Sequence, residues 1–597
     1  MIRRLLRVYR QLLPGEGRGW LVWAVLGSAG VAALDMLGIA AMMPLMLVAT
    51  GASGGQEIAD RLAFMGVSGQ GGAIVVLAAA VAGVFVVKTV VAIGFRWWLL
   101  GRTTRLEGIA AANMLERYAD APYVQHRSRS NGQMNRQLDF SLSQVFGGML
   151  NGYVMITVDV MTLMAAVAVL AWISPVATMA AVAVLGGAVV VMQWGLRSRQ
   201  YQIGRELSKV AAQQWNARIP VIEGFRDVRL TSSSRYFTDQ FRGMRVHQAS
   251  AYRKLSIFSE VPRYLLEVAM VVGIGAIAGA VLWTGQSEQI IAILGVFTVA
   301  AGRMLPTLNR LGANVGSLRA SHVGLEETEA TLAQLGAPPQ IPAPLREGQV
   351  VPLSGDILLR GVGFRFPDSQ EWTLRHVDLR IPAGHTVAIV GSSGAGKSTV
   401  LDVILGLLDP VEGSVTCGGQ DIHEHIDAWH RTLGVVSQDV FLVNASLRRN
   451  VAFGVPDEQI DDRRLGEALR SAQLDGLVEQ LPDGWDTVLG ERGVRISGGQ
   501  RQRIGIARAL YRDPAVLVLD EATSALDNLT EKKLSETIQR LSGRLTIIIV
   551  AHRLSTVRHA DTVVFMDQGK VAAWGTFDQV QEASPLFAQL VALGKLG

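Results

Sequence analysis

The sequence predicts two structural classes in one chain of 597 residues: an all-α membrane domain with six spans, followed by an α/β domain. Three observations favour this division. Six long apolar runs occur in the first half, and basic residues collect in two of the segments between them. From about Asp356 onward, short β-rich runs alternate with helical patterns. Hydrophobic residues make up 49% of the chain, which is high for a soluble protein.

Each apolar run is long enough to cross a bilayer, which takes about 20 helical residues. The runs lie at 20–49, 73–100, 147–173, 176–196, 261–284 and 288–312. The first run is much longer than the apolar core of a signal peptide. The basic segment before it is therefore predicted to be an uncleaved helix at the membrane surface.

The charges between the runs predict how the chain crosses the membrane. Segments 101–146 and 197–260 are rich in Arg and Lys, whereas the other connections are poor in cations. Basic loops stay in the cytoplasm, so both long segments and both termini are predicted to be cytoplasmic. In the first outer connection, Ile58, Leu62 and Met65 share one helical face. This spacing is compatible with a short surface helix or with an ordinary folded loop.

Composition also predicts the domain boundaries. A Pro- and Ala-rich stretch that cannot continue a helix follows the sixth run. We therefore assign 1–320 to the membrane domain, 321–352 to a linker and 353–597 to the α/β domain. The lone cysteine, Cys417, cannot form an internal disulfide, which indicates a reducing cytoplasm around this domain.

A glycine-rich segment, GSSGAGKS at 391–398, follows a strand pattern and precedes a helix pattern. This is the context of a phosphate-binding P-loop, and a chance glycine-rich turn is a poor rival to it. Glycines let backbone N–H groups surround phosphates, Lys397 reaches the terminal phosphates, and the Ser398 hydroxyl ligates Mg²⁺. The candidate contacts are Gly391, Ser392, Ser393, Gly394, Ala395, Gly396, Lys397, Ser398 and Thr399. Alone, the loop indicates only a nucleotide.

Two further buried strand patterns end in polar residues. The first ends in Asp520 and Glu521, and the second ends in His552. Asp520 can hold Mg²⁺, Glu521 can orient the attacking water, and His552 can hold that water and the γ-phosphate. Either strand alone would be a core strand with a polar tip. With the P-loop, they predict an α/β P-loop ATPase domain that uses ATP and Mg²⁺.

The segment Ile496-Ser-Gly-Gly-Gln500 resembles the signature of ATP-binding cassette transporters, which usually begins with Leu. Other positions resemble motifs of the same family: Gln438 its Q-loop, Asp527 its D-loop, His552 its switch histidine, Phe366 its adenine-stacking aromatic and Glu491 the loop that exporters place against the membrane half. The resemblance implies that Gln438 acts in catalysis and metal binding. It also implies that Ser497, Gly498, Gly499, Gln500 and Asp527 contact ATP. Neither departure, Ile496 or Phe366, removes a polar catalytic atom.

The family's geometry places the signature of one cassette across the γ-phosphate held by another. This chain carries one of each, so the resemblance implies a homodimer with two working sites. Six spans ahead of one cassette resemble an exporter-type half-transporter. Segments 122–133 and 223–234 fall where exporters place the helices that couple the two domains, although plain helical hairpins are the alternative.

Ionisable residues occur within or beside the apolar runs, where a charge costs roughly 2.5 to 3.5 kcal/mol at the centre of a helix. They are Asp35, Lys88, Asp159, Glu267 and Arg303, with Arg263 and Arg310 beside the last two runs. One interpretation is that these charges pair across helices. The other is that Lys88, Arg263, Arg303 and Arg310 form a basic lining for an anionic substrate, since Arg303 and Arg310 share a helix face.

Several membrane strings resemble bacterial lipid-linked oligosaccharide flippases: GRMLPTLNRL at 302–311, PRYLLE at 262–267 and LDMLGIAAMMPLM at 34–46. The resemblance implies export or flipping of a polyprenyl-pyrophosphate-linked oligosaccharide across a bacterial cytoplasmic membrane. A peptide or drug exporter is the competing hypothesis. A channel regulator is a third, disfavoured by the intact Glu521 and His552. Six spans exclude a soluble ATPase acting on nucleic acid.

Overall fold

The structure is a computed structural model. It describes residues 1–50, 56–58, 61, 69–127, 129–283, 290–336, 351–490, 496–520, 536–551 and 557–593. The chain divides into two compact units, Met1–Ala121 with Gln125–Pro339, and Pro122–Val124 with Gln340–Gly597. Below they are called the membrane unit and the cassette unit, and each is described by itself.

In the described part of the membrane unit, helices are joined by short turns. The helices within residues 1–336 are α1 (Ile2–Leu12), α2 (Gly19–Thr50), α3 (Gly69–Ala119), α4 (Tyr123–Arg127), α5 (Asn131–Arg136), α6 (Asn151–Ile173), α7 (Pro175–Ile222), α8 (Phe225–Leu230), α9 (Ser234–Trp283), α10 (Ile290–Ala320) and α11 (His322–Leu335). The first two residues of α4 belong to the cassette unit. Two π-helical segments, Gln137–Ser141 and Gln144–Leu150, lie between α5 and α6.

Four stretches of the described chain are long and apolar enough to cross a membrane: Gly19–Ala49, Gln70–Ala119, Asn131–Trp172 and Thr178–Ile222. They contain the first four predicted runs except for one or two end residues of the third and fourth. The fifth and sixth runs lie largely in α9 and α10, so two long helices are present there, but the count of six spans is not confirmed. Of the predicted outer-loop helix, Gln56–Ile58 is helical, and Leu62 and Met65 lie outside the described residues.

The longest helices extend well past a bilayer. At 1.5 Å per residue, the 51 residues of α3 span about 77 Å, against roughly 30 Å of hydrocarbon. Helices α7 and α9 have 48 and 50 residues. Each therefore combines an apolar half with a polar extension, as the basic segments 101–146 and 197–260 predicted.

Helix α1 is amphipathic and contributes to the core of the membrane unit. Leu5, Val8, Tyr9 and Leu12 are buried, with the spacing of one helical face. They belong to one apolar cluster with side chains of α3 and of the second π-helical segment, including Phe146. Further along the chain, residues 322–335 of the predicted linker form α11, and residues 337–350 lie outside the described part.

The described residues of the cassette unit form two sheets. The strands are β1 (Ile357–Phe364), β2 (Leu374–Ile381), β3 (Thr386–Gly391), β4 (Glu412–Cys417), β5 (Gln420–Asp421), β6 (Leu433–Val436), β7 (Val516–Asp520), β8 (Thr546–Val550), β9 (Thr562–Asp567) and β10 (Lys570–Gly575). The small sheet is antiparallel, in the order β2-β1-β4-β5. The large sheet has the order β10-β9-β3-β8-β7-β6 and is parallel except between β10 and β9.

Short helices pack around these sheets. They are α12 (Lys397–Ile404), α13 (Ile426–Thr432), α14 (Leu447–Val451), α15 (Asp462–Ser471), α16 (Asp475–Gln480), α17 (Gly498–Tyr511), α18 (Phe577–Ala583) and α19 (Pro585–Ala592), with 3₁₀ turns at Asp457–Gln459 and Gly484–Asp486.

The large sheet is buried on both faces, which explains its uninterrupted apolar strands. In β3, Ala388 and Val390 pack in one apolar cluster, whereas Val387 and Ile389 pack in another. Strands β7 and β8 divide their side chains in the same alternating way. Because successive strand residues face opposite sides, the two clusters are the two cores that sandwich the sheet.

Cys417 ends β4 and is buried in the small-sheet core. Burial raises the pKa of its thiol, and the negative charge of Asp356 raises it further. The thiol therefore stays protonated at neutral pH, where it fills space as a small apolar side chain.

Candidate functional site

The predicted P-loop connects β3 to α12. Strand β3 ends at Gly391, and α12 begins at Lys397. The Lys397 ammonium donates hydrogen bonds to the carbonyl oxygens of Gly391 at 2.6 Å and Ser392 at 3.0 Å. The lysine is 7% exposed. Its charge is therefore positioned over the loop, where a phosphate chain would lie along the backbone N–H groups.

Two glycines of this loop are required by its geometry. A Cβ atom on Gly391 would lie 2.2 Å from the carbonyl oxygen of Met566 on the neighbouring strand β9. Gly396 has a φ of +97°, in the left-handed region, and it is the N-cap of α12. A side chain at either position would displace the backbone that forms the phosphate-binding loop.

The other two strands of the predicted site, β7 and β8, end at the same edge of the large sheet. Val550 of β8 is paired with Ile389 of β3 on one side and with Asp520 of β7 on the other. These strands are parallel, so Asp520 stands at the level where β3 enters the P-loop. Glu521 follows Asp520 directly. His552 comes two residues after Val550. Glu521 and His552 lie outside the described residues.

The predicted signature segment forms the start of a helix. Ser497 is the N-cap of α17: its hydroxyl accepts a hydrogen bond from the Gln500 N–H at 3.2 Å, and the Gln500 side chain accepts one from the Ser497 N–H at 2.8 Å. This reciprocal cap fixes the first turn. The N–H groups of the next two glycines, Gly498 and Gly499, are at the positive end of the helix, which suits a phosphate.

The unusual first residue of the signature has a packing role. Ile496 is 8% exposed and belongs to an apolar core that also contains Ile504 of α17. The position needs an aliphatic side chain of this volume, and Ile provides it as Leu does. The departure from the family's usual residue therefore leaves the cap untouched.

Of the remaining predicted residues, the structure describes Phe366 and Gln438. Phe366 follows β1, and its ring meets Phe364 edge-on with centroids 5.1 Å apart. Gln438 follows β6 and is exposed. Glu491 and Asp527 fall outside the described residues.

Comparisons with known proteins agree with this geometry. A family model described as "ABC transporter" matches residues 374–524. The ATP-dependent lipid A-core flippase of Alkalilimnicola ehrlichii is 31% identical over 487 residues, covering 80% of each chain. The chain belongs to the ABC transporter family. It is an ATP-hydrolysing transporter, as the site residues predicted.

Two further similarities describe the fold and the cassette of this ABC transporter. A bacterial Atm1-family ABC exporter with ATP bound has a TM-score of 0.78 at 23% identity, over 97% of this chain and 99% of that chain. The fold is thus that of an ABC exporter, with a helical N-terminal region and an α/β ATPase domain. The mitochondrial potassium channel ATP-binding subunit of Xenopus tropicalis is 42% identical over 252 residues, covering 42% of this chain and 36% of that protein.

The membrane unit of this ABC transporter pairs most of its predicted cations. The Lys88 ammonium on α3 lies 2.6 Å from the Asp35 carboxylate on α2. Arg310 on α10 donates to Asp159 on α6 at 3.1 Å. Arg263 donates to Glu267, one turn along α9, at 2.9 Å. The side chain of Arg303 lies outside the described part. Pairing, the first of the two interpretations, thus describes three of the four candidate cations.

The Asp159 pair includes two residues that the sequence did not single out. Asn314 donates to the second Asp159 oxygen at 3.2 Å, and Arg310 also approaches the Thr307 hydroxyl at 3.4 Å. Thr307, Arg310 and Asn314 recur at the three- and four-residue spacing of one helix face. This spacing is the feature of the sequence from which the contribution of Thr307 and Asn314 could have been predicted.

A second polar cluster was also missed. The Glu327 carboxylate on α11 accepts hydrogen bonds from Arg136 at 2.5 Å, Ser208 at 2.5 Å and Ser141 at 2.8 Å. It joins α11 to α5, α7 and the first π-helical segment. No local motif marks Glu327, because its partners are more than a hundred residues away.

Proposed function

We propose that two copies of this chain couple ATP hydrolysis to the flipping of an anionic lipid-linked substrate across the bacterial cytoplasmic membrane. A lipid is proposed as the substrate because the chain is similar, over 80% of both chains, to a protein named as a lipid A-core flippase. A polyprenyl-pyrophosphate-linked oligosaccharide is the specific candidate, supported by the membrane strings at 262–267 and 302–311.

The proposed topology has six spans and cytoplasmic termini, with domains at 1–320 and 353–597. Helices α9 and α10 provide the fifth and sixth spans. The long polar extensions of α3, α7 and α9 support this topology, because basic residues are enriched in the same segments.

In the proposed ATP site, Phe366 stacks on adenine and the P-loop binds the phosphates. The residues present suit Mg²⁺, because Ser398 lies in the first turn of α12 and Asp520 at the same edge of the sheet, both offering oxygen atoms. With Gln438 they would hold the ion, which neutralises charge on the phosphates. Glu521 orients the attacking water and His552 fixes it.

The second half of each site comes from the partner copy in this proposal. Ser497, Gly498, Gly499 and Asp527 of one copy complete the site around the γ-phosphate held by the other. The capped first turn of α17 supports this role, since its N–H groups are pre-organised and cost no reordering on binding. Mixed dimers with Ser497→Ala in one copy test it: one of two sites should stop hydrolysing, and an active monomer would contradict it.

The proposal keeps an anion-binding role for some of the four candidate cations in the membrane unit. The Lys88 side chain, paired with Asp35, is 16% exposed, whereas the Arg310 side chain is 55% exposed despite its pair with Asp159. A guanidinium has five N–H donors, and those of two of the Arg310 nitrogens, Nε and Nη2, point to Asp159. Arg310 is therefore the leading candidate to meet a pyrophosphate. Arg303 is proposed with it because the two residues are seven apart on one helix, and Arg263 comes next.

The direct test is transport by purified protein in proteoliposomes. We expect ATP-dependent flipping of a polyprenyl-pyrophosphate oligosaccharide, little flipping of phosphatidylcholine, and no uptake of peptides or cationic dyes. Uptake of peptide or dye without lipid flipping would replace the proposal with a peptide or drug exporter. ATP-gated ion flux without either would support the channel-regulating alternative.

A further inference from the structure

Four helices of the membrane unit, α6, α7, α9 and α10, enclose a cavity of about 160 Å³. Every lining residue that the structure describes is apolar except Thr178. The Thr178 hydroxyl donates to the Ser174 carbonyl oxygen at 2.8 Å, so its donor is already used. The cavity therefore suits hydrocarbon and offers nothing that would hold water.

The cavity adjoins a groove on the surface of the membrane unit. The groove, of about 400 Å³, lies between α6 and α7 and shares Leu163, Val167 and Val182 with the cavity. Met164 in the groove is 62% exposed. Both helices lie in candidate membrane spans. At this depth the surrounding medium is hydrocarbon, so the groove faces lipid chains.

One end of the cavity carries a fixed cation. Asp159 precedes Leu163 by one turn on the same face of α6, so its carboxylate stands just beyond the apolar lining. Asp159 is 4% exposed and is bonded to Arg310 and Asn314. The buried carboxylate thus holds the guanidinium in place, while more than half of the Arg310 side chain stays accessible.

We propose that this cavity and groove bind one hydrocarbon chain of an anionic membrane lipid, whose phosphate is bound by Arg310. An aliphatic cavity of about 150 Å³ takes up an apolar molecule the size of benzene, so this cavity holds a segment of the chain and the groove holds the rest. That the bound lipid is the transported one rests on the proposed function; the binding site itself does not.

Two glycines in the lining allow the site to be filled. A Cβ atom on Gly186 or Gly273 would meet its nearest neighbour at 3.9 Å, an ordinary contact. Their neighbours Gly187 and Gly275 do not line the cavity, and a Cβ there would meet no atom within 4 Å. Gly186→Val with Gly273→Val therefore fills the cavity, and Gly187→Val with Gly275→Val is the matched control.

The experiment uses the full-length protein in phosphatidylcholine nanodiscs that contain phosphatidic acid with a photoreactive diazirine on one acyl chain. After irradiation, labelled peptides are quantified by mass spectrometry. We expect labels on cavity residues such as Leu163, Met270 and Met304. Filling the cavity should lower labelling of these peptides about tenfold, since several methylene groups lose their apolar contact, whereas the control pair should label as the wild type does.

The same experiment also tests the proposed contact between Arg310 and the lipid phosphate. Phosphatidylcholine carrying the same photoreactive chain should label the cavity less than phosphatidic acid does, and Arg310→Gln should remove that difference. Should the filled glycine variant not fold, Ala181→Leu fills the same cavity from α7 and gives the second test. Equal labelling in filled and control variants, or no preference for the acidic probe, would overturn the proposal.

The test of this binding site can fail or succeed independently of the test of the proposed function. Photolabelling needs neither ATP nor transport, so a labelled cavity in a protein that flips no lipid would keep the binding site and reject lipid transport. Lipid flipping with labels spread evenly over the outer helices would keep transport and reject this site.

Discussion

The motif side chains of the ATP site and the charges that join helices of the membrane unit find their partners over different distances along the chain. In the cassette unit, the motif side chains of Lys397 and Gln500 bond to backbone atoms no more than six residues away. In the membrane unit, Arg310 and Asp159 are 151 residues apart, and Arg136 and Glu327 are 191 apart. Chemistry at the ATP site is therefore encoded in short segments, whereas the charges of the membrane unit depend on how its helices pack.

The largest effect should come from a single change in a short segment. Glu521→Gln removes the carboxylate proposed to position the attacking water, so ATP hydrolysis should fall roughly 10²- to 10⁴-fold while ATP still binds. Steady-state phosphate release and equilibrium ATP binding, measured on the same preparation, check both parts. Substantial residual turnover would remove Glu521 from its assigned role.

Lys397→Ala should weaken ATP binding itself. The change removes a buried charge from the phosphate loop, and losing charged hydrogen bonds of this kind costs about 1.5 to 3 kcal/mol, or roughly 10- to 150-fold in affinity. Lys570→Ala on exposed β10 is the control and should bind ATP normally. Titration with a fluorescent ATP analogue compares the two, and equal affinities would contradict the role of Lys397.

A third prediction sharpens the contrast within the membrane unit. Asp159→Ala removes the buried carboxylate that accepts from Arg310 and Asn314, so the free energy of unfolding should fall by about 1 to 3 kcal/mol. Arg263→Gln breaks an exposed pair with Glu267, one turn along the same helix, and should leave the melting temperature unchanged. Thermal unfolding in one detergent tests both. Equal destabilisation would show that helix packing does not decide the contribution of these charges.

The smallest effect is expected at the signature. Ile496→Leu exchanges two aliphatic side chains of equal volume in a buried position, so ATP hydrolysis should change less than about twofold. Ser497→Ala, next to it, removes the helix cap and should cost more. If Ile496→Leu altered the rate as much as Ser497→Ala, side-chain identity at 496 would have a role beyond packing.

This difference in distance also explains what the sequence could predict. The P-loop and the capped signature helix follow from local spacing, because β3, α12 and α17 supply their geometry directly. The pairing of Lys88 with Asp35 remained one of two interpretations, since partners on separate helices are chosen by packing. Neither the π-helical segments nor the Glu327 cluster has a local signature, because both depend on contacts with distant helices.

The most direct test of the account measures ATP hydrolysis and lipid flipping side by side in one set of proteoliposomes. Arg303→Gln is compared with the wild type and with Arg235→Gln, an exposed arginine at the start of α9, outside the predicted spans. The account predicts that Arg303→Gln lowers flipping of a pyrophosphate-linked lipid about tenfold or more, since a charged hydrogen bond is lost, and hydrolysis much less. Undiminished flipping, or loss of flipping only together with loss of folding, would contradict it.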